Sequence, residues 1–160
     1  MKKLILIRHA KSSWEGNVQD FDRPISQSGT QAAIKVAELS KKYFDRNALI
    51  LISAAKRTTE TAQIFASTWN IQLTKENFRN ELYTFDSFQL EKNVKSFPND
   101  SQNCILFVHN SAITDFVNKF GDIFIDNVPT SGFVLITFEV EHWHEINKGK
   151  TEKIIFLRDI

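Results

Sequence analysis

Three short apolar runs constrain this chain most, because each reads as a buried strand and each ends at groups able to do chemistry. They are Leu4-Ile5-Leu6-Ile7 before Arg8 and His9, Leu49-Ile50-Leu51-Ile52 before Ser53 and Arg57, and Ile105-Leu106-Phe107-Val108 before His109. An unbroken run of this kind, without polar alternation, fits a strand covered on both faces, as in a parallel sheet. A segment with helical spacing follows each run, and strand–helix alternation implies an open α/β sheet. In such sheets ligands bind beyond the carboxyl ends of the strands. With the three strands as neighbours, Arg8, His9, Arg57 and His109 converge on one crevice. One histidine after one strand is most simply a structural residue, but four such groups at three independent junctions reverse that reading.

The remaining segments fill in around those strands. Lys11 to Pro24 is a long polar stretch in which Pro24 stiffens the backbone beside Arg23. Ser26 to Phe44 reads as a helix, with Ala32, Val36, Leu39 and Tyr43 on its apolar side and Lys35, Glu38, Lys41 and Lys42 on its wet side. A second helix runs through Ala62, Phe65, Ala66 and Trp69, and Ile71 to Lys75 reads as a short strand. Asp86 is placed to cap a helix reaching Lys95, with Gln89 at the capping-box position. A turn at Pro98-Asn99-Asp100 precedes the third run, and a helix through Ile113, Phe116, Val117 and Phe120 follows it. Phe133 to Val140, Trp143 to Ile146 and Lys153 to Leu157 read as strands, antiparallel at least in part.

Composition narrows the function classes. With 160 residues, 42% hydrophobic and 24% charged, the chain reads as one folded domain, 1–160, and not as a disordered segment. A formal net charge of +1 provides no overall attraction to nucleic acid or membranes. No apolar run approaches the roughly 20 residues of a membrane span. The apolar stretch after Met1-Lys2-Lys3 is interrupted by Arg8-His9 before it resembles a signal segment. The single cysteine, Cys104, heads an apolar run, so it reads as a buried thiol in a reducing compartment, and the expected location is cytoplasmic. His142 and His144 flank Trp143 in an expected hairpin and share a face, which marks them as surface residues more than as a metal pair.

Residue types at the crevice point to phosphoryl chemistry. Arginine grips oxyanions bidentately, and histidine is the one side chain that titrates near neutrality. Ile7-Arg8-His9-Ala10-Lys11-Ser12-Ser13-Trp14 resembles the opening motif of the histidine phosphatase superfamily, and particularly its SixA phosphohistidine phosphatase branch. The resemblance continues through Asp20-Phe21-Asp22-Arg23-Pro24-Ile25, Gly29, Leu51 to Ala62, Glu81-Leu82-Tyr83, Val108-His109-Asn110 and Asn127 to Gly132. It implies a phosphoglycerate mutase-like three-layer α/β/α fold with a mixed, mainly parallel sheet. It also implies His9 as nucleophile, Arg8, Arg57 and His109 as the phosphate pocket, Ser12 as a polar pocket residue and Arg23 at the mouth.

This chain departs from the branch at Ala54 and Ser111, where it usually has proline, and at Val108, where it usually has glycine. Superfamily members that cleave phosphate esters often carry a carboxylate two residues after the leucine matching Leu82, where Thr84 stands here. Glu81 is the nearby candidate proton donor, with a surface ion pair as the competing reading. The expected activity is that of a metal-independent phosphatase acting through a phosphohistidine intermediate on His9, with no cofactor. Its expected substrate is phosphohistidine on a partner such as a histidine-phosphotransfer or phosphocarrier domain. The alternatives are a small-molecule phosphomonoesterase of the same superfamily and a non-catalytic phosphohistidine-binding module.

Overall fold

The computed structural model describes residues 1–159. Strands β1 (Lys2–Arg8), β2 (Leu49–Ser53), β3 (Phe78–Arg79), β4 (Asn103–Val108), β5 (Phe133–Phe138) and β6 (Lys150–Ile155) form one sheet in the order β3-β2-β4-β1-β5-β6. The pairs β1–β4, β2–β4 and β2–β3 are parallel, whereas β1–β5 and β5–β6 are antiparallel. The sheet is therefore mixed, and the three apolar runs occupy three adjacent positions with β4 between β2 and β1. Helices α1 (Gln27–Ser40) and α2 (Lys56–Trp69) cover one face, and α3 (Ser87–Lys95) and α4 (Ala112–Phe120) the other. This is the expected phosphoglycerate mutase-like α/β/α architecture.

The two-residue period of a strand explains why the runs are apolar throughout. In β1, Ile5 and Ile7 pack with Ala33, Val36, Phe65 and Trp69 of α1 and α2, while Leu4 and Leu6 pack with Val94, Ile113 and Phe116 of α3 and α4. Cys104 is buried in the second of these layers as a free thiol, and burial pushes its pKa up to about 12. Among the described residues, no helix is long and apolar enough to cross a membrane.

Three local expectations are corrected. Ile71 to Lys75 does not form a strand. Thr74 and Asn77 close a capping box around a short 3-10 helix, Asn77 Nδ2 donates to the Ile50 carbonyl at 2.9 Å, and the edge strand is Phe78–Arg79. Trp143 to Ile146 is not a strand either, because a 3-10 helix covers Trp143–Glu145. The fully buried Trp143 donates from Nε1 to the Ser101 carbonyl at 2.7 Å and from its backbone to Asn99 Oδ1 at 3.0 Å, which turns the chain inward. His142 and His144 stay on the surface, their rings stacked at 5.5 Å. Finally, α1 ends at Ser40, and its buried face is Ala33, Val36, Ala37 and Ser40, leaving Leu39 exposed.

Candidate active site

The site lies at the carboxyl ends of β1, β4 and β2. Arg8 is the last residue of β1, and the following residue, His9, continues the pairing by donating its backbone N–H to the Val108 carbonyl at 3.2 Å. A turn from Pro129 to Gly132 wraps this end: Ser131 N–H donates to the carbonyls of Arg8 and His9 at 3.1 and 3.0 Å. Ser131 holds the left-handed conformation, φ 60°, that points its N–H there. The same loop fixes Arg8, whose Nη1 donates to the Val128 carbonyl at 2.9 Å. Arg8 Nε is buried without a protein partner, so a donor remains available for an oxyanion.

His9 has a defined tautomer. Its Nδ1 lies 2.7 Å from the Ala10 carbonyl oxygen, which can only accept, so Nδ1 carries the proton and Nε2 the lone pair. The Ala10 backbone is itself anchored, because its N–H donates to Thr61 Oγ1 at 2.8 Å while Thr61 Oγ1 donates to the Arg57 carbonyl at 2.7 Å. One buried hydroxyl thus ties the His9 loop to the first turn of α2, which carries Arg57. Burial, reinforced by Arg57, Arg8 and Arg23 and partly opposed by the Ala10 hydrogen bond, lowers the His9 pKa to about 4. His9 is neutral at pH 7, as a nucleophile must be.

His109 follows β4 and is fully buried, its ring 5.4 Å from that of His9. Its Nε2 is 2.8 Å from Ser53 Oγ at the end of β2, and its Nδ1 is buried with no protein partner. Burial, followed by the neighbouring His9, Arg57 and Arg8 and opposed by Asp20, lowers its pKa to about 2. The resting site therefore holds a neutral His109. An anion beside it would supply the counter-charge that favours its imidazolium form. Tyr83 and Phe85 stand edge-on to the His109 ring at 5.4 and 5.5 Å and wall this side of the site.

Arg57 is nearly buried and meets a partner that no local sequence spacing indicates. Its Nη1 donates to the Asp20 carbonyl at 2.7 Å and its Nη2 to Asp20 Oδ2 at 3.0 Å. Asp20 also accepts from Tyr83 Oη at 2.5 Å and from Arg23 Nη1 at 3.0 Å. Burial raises the Asp20 pKa, but Tyr83, Arg57 and Arg23 outweigh it and bring it down to about 2, so this carboxylate is ionised. Arg23 completes the rim by donating to Ser12 Oγ and stacking on Trp14 at 3.4 Å.

The structure thus gathers Arg8, His9, Arg57 and His109 at one place and links Ser12 and Arg23 to it through Asp20. It does not bring Glu81 in. Although Arg79 stands in register with Ser53 at the same end of the sheet, the Glu81 side chain pairs with Arg79 at 3.5 Å on the surface and lines a separate groove with Leu82, Asn93 and Phe97. Sequence reasoning missed the parts played by Asp20, Ser53 and Thr61. The signals available were an acid three residues before Arg23 and buried hydroxyls at a strand end and on the inner face of α2. Among the described residues, no group of three or more His, Cys, Asp or Glu side chains is placed to hold a metal ion.

Comparison with known proteins gives a family and a fold. The family model of the histidine phosphatase superfamily (branch 1) matches residues 4–122. The chain is 40% identical over 81 residues to phosphoserine phosphatase 1 of Hydrogenobacter thermophilus, covering 48% of this chain and 37% of that protein. It is 46% identical over 61 residues to an uncharacterized chloroplastic protein of Arabidopsis thaliana, covering 38% of this chain and 28% of that one. The matched segments therefore span little more than a third of these curated relatives at most. In fold, the chain is similar to a proposed phosphohistidine phosphatase SixA from Agrobacterium tumefaciens, with TM-score 0.78, 22% identity, and 97% and 98% of the two chains covered. It is also similar to the protein histidine phosphatase SixA complexed with tungstate, with TM-score 0.74, 15% identity and 96% of each chain covered. A mycobacterial glucosyl-3-phosphoglycerate phosphatase aligns with TM-score 0.68 at 12% identity over 95% of this chain and 97% of that one.

Proposed function

Given that the chain belongs to the histidine phosphatase superfamily, we propose that it is a metal-independent phosphatase of protein phosphohistidine, working through a phosphoryl intermediate on His9. The observation that carries the reading is the proton fixed on His9 Nδ1 by the Ala10 carbonyl. With that proton held, Nε2 attacks phosphorus in line and His9 becomes a phosphoimidazolium without exchanging a proton with anything. A protonated phosphohistidine donor undergoes the reverse change: its N–P bond breaks, the electron pair stays on nitrogen, and a neutral imidazole leaves. The two half-changes mirror each other, so the transfer needs no general acid. An alkyl ester would expel an alkoxide and would need one. The nearby carboxyl groups fit this, since Asp20 is held ionised and Glu81 is paired with Arg79.

Arg8 and Arg57 supply the positive field for the equatorial oxygens, and His109 joins them as the dianion favours its protonated form. In the second step water attacks phospho-His9. The N–P electron pair returns to Nε2, the water protons stay with the released phosphate, and His9 recovers its starting tautomer. Trp14 and Phe85 border the mouth as exposed or half-exposed apolar surface, which supports a protein substrate such as a histidine-phosphotransfer or phosphocarrier domain. The free, buried Cys104 supports a reducing, cytoplasmic setting.

The test is phosphate release from a phosphohistidine-bearing protein without added metal, with His9→Ala in parallel. Release by the parent chain alone, with an acid-labile phosphoryl group trapped on it, supports the reading. Unchanged release by His9→Ala overturns the covalent mechanism. The 40% identity to a phosphoserine phosphatase favours a second reading, a phosphatase of small phosphomonoesters. Turnover of alkyl phosphates without any turnover of phosphohistidine selects it.

A further inference from the structure

We propose that Asp20 recognises the leaving imidazole of the substrate, accepting a hydrogen bond from its distal N–H and so selecting N-phosphorylated over O-phosphorylated substrates. The inference rests on the phosphohistidine reading and extends it from the attacking histidine to the departing one. Asp20 is anchored on the phosphate-pocket arginine: its carbonyl and Oδ2 take Arg57 Nη1 and Nη2 at 2.7 and 3.0 Å. Oδ2 also accepts from Tyr83 Oη, while Oδ1 accepts only from Arg23 Nη1 at 3.0 Å among the described contacts. A carboxylate oxygen offers two lone pairs, so Oδ1 keeps one acceptor position. The Asp20 side chain is 44% exposed, so an incoming group can reach the carboxylate, whereas the Arg57 side chain it pairs with is 4% exposed. The clamp holds the carboxylate in place and charged at pH 7, because Tyr83, Arg57 and Arg23 together outweigh its burial.

A phosphoimidazole protonated on its distal nitrogen is a cation with one N–H. Asp20 offers it an anion with one free lone pair, a single hydrogen-bond step from the guanidinium that grips the phosphoryl group. The arrangement matches that at His9, where the Ala10 carbonyl holds Nδ1–H. During transfer each of the two imidazoles in line with phosphorus would have its distal N–H held by a fixed oxygen, Ala10 O on one side and Asp20 Oδ1 on the other. The N–P bond of the substrate breaks, its electron pair stays on the leaving nitrogen, and the neutral leaving ring keeps its distal N–H, which donates to Asp20 Oδ1. An O-phosphoryl substrate presents neither the charge nor the N–H. Its leaving oxygen, which gains negative charge, faces a carboxylate instead.

The experiment compares kcat/KM of the full chain and of Asp20→Asn on phosphoimidazole and on p-nitrophenyl phosphate. Asparagine keeps an acceptor for Arg57 but removes the charge. Loss of a charge-assisted hydrogen bond is expected to lower turnover of phosphoimidazole roughly tenfold or more relative to p-nitrophenyl phosphate. Equal losses on both probes would mean that Asp20 only holds Arg57, and would overturn the proposal while leaving the phosphohistidine reading standing. A second measurement does not depend on the variant folding. The parent chain should turn over N-methyl-N′-phosphoimidazolium, which lacks the N–H, less well than phosphoimidazole by a similar factor, and equal turnover of the two overturns the proposal. Turnover of p-nitrophenyl phosphate but of neither phosphoimidazole nor a phosphohistidine protein overturns the phosphohistidine reading itself.

Discussion

Acidification to pH 5 should destabilise this protein through the two histidines of the site. Both are buried neutral, with folded pKa values lowered by desolvation, and by the arginines beside them, to about 4 for His9 and about 2 for His109. In the unfolded chain each titrates near 6.5. A depressed pKa contributes stability in full above the unfolded value and loses it as pH falls, because the unfolded state takes up protons first. The loss begins near pH 6.5 and continues to about 4 for His9 and about 2 for His109. Integrating the linkage from pH 7 to pH 5 costs about 2 kcal/mol per histidine, or roughly 4 kcal/mol together. That is a large share of the ~5–15 kcal/mol that holds a typical domain folded. Asp20, with a folded pKa of about 2, stays ionised over this range and adds little. Urea unfolding followed by the fluorescence of the buried Trp69 and Trp143 at pH 7, 6 and 5 measures the slope. His9→Gln combined with His109→Gln removes both titrations and should flatten the slope to ~1 kcal/mol or less. A double variant whose stability falls with pH as steeply as that of the parent chain would refute this account of how the site is kept neutral.

The same geometry sets three further outcomes. Thr61→Val removes the acceptor of the Ala10 N–H without changing side-chain shape, leaving a buried donor unpaired; it should cost about 1–3 kcal/mol, seen as a lower Tm, and reduce kcat/KM by loosening the His9 loop from α2. Gly29→Ala drives a methyl group into the Lys11 carbonyl, where α1 packs against the chain just after β1, and should lower stability by about 1–3 kcal/mol in urea unfolding. Glu81→Gln should leave turnover of a phosphohistidine protein within about twofold, since an exposed ion pair of this kind contributes little, and a large loss would return Glu81 to the site as a proton donor.

The sequence by itself determined the three buried strands and the polar groups at their ends, because burial on both faces leaves an unbroken apolar run and the first polar residue marks where that run stops. Leu4 to His9, Leu49 to Ser53 and Ile105 to His109 need no tertiary information to be read in this way. The Asp86 cap was equally legible, since its bond to the Phe88 N–H at 3.0 Å lies within one turn. Signals that depend on a remote partner were not legible. Trp143 is drawn into the core by Ser101 and Asn99, and Asn77 by the Ile50 carbonyl, so two segments with strand-like composition are not strands. Tertiary structure alone decided that β4 lies between β2 and β1, which turns four separate residues into one site. It also decided that Asp20 reaches Arg57 across 37 positions, that Thr61 anchors the Ala10 N–H across 51, and that burial beside Arg57 and Arg8 lowers the His9 pKa. Hydrogen bonds between groups far apart in the chain leave no periodicity behind, so the type of a site residue is written in the sequence, whereas its protonation and its neighbours are set by the folded chain.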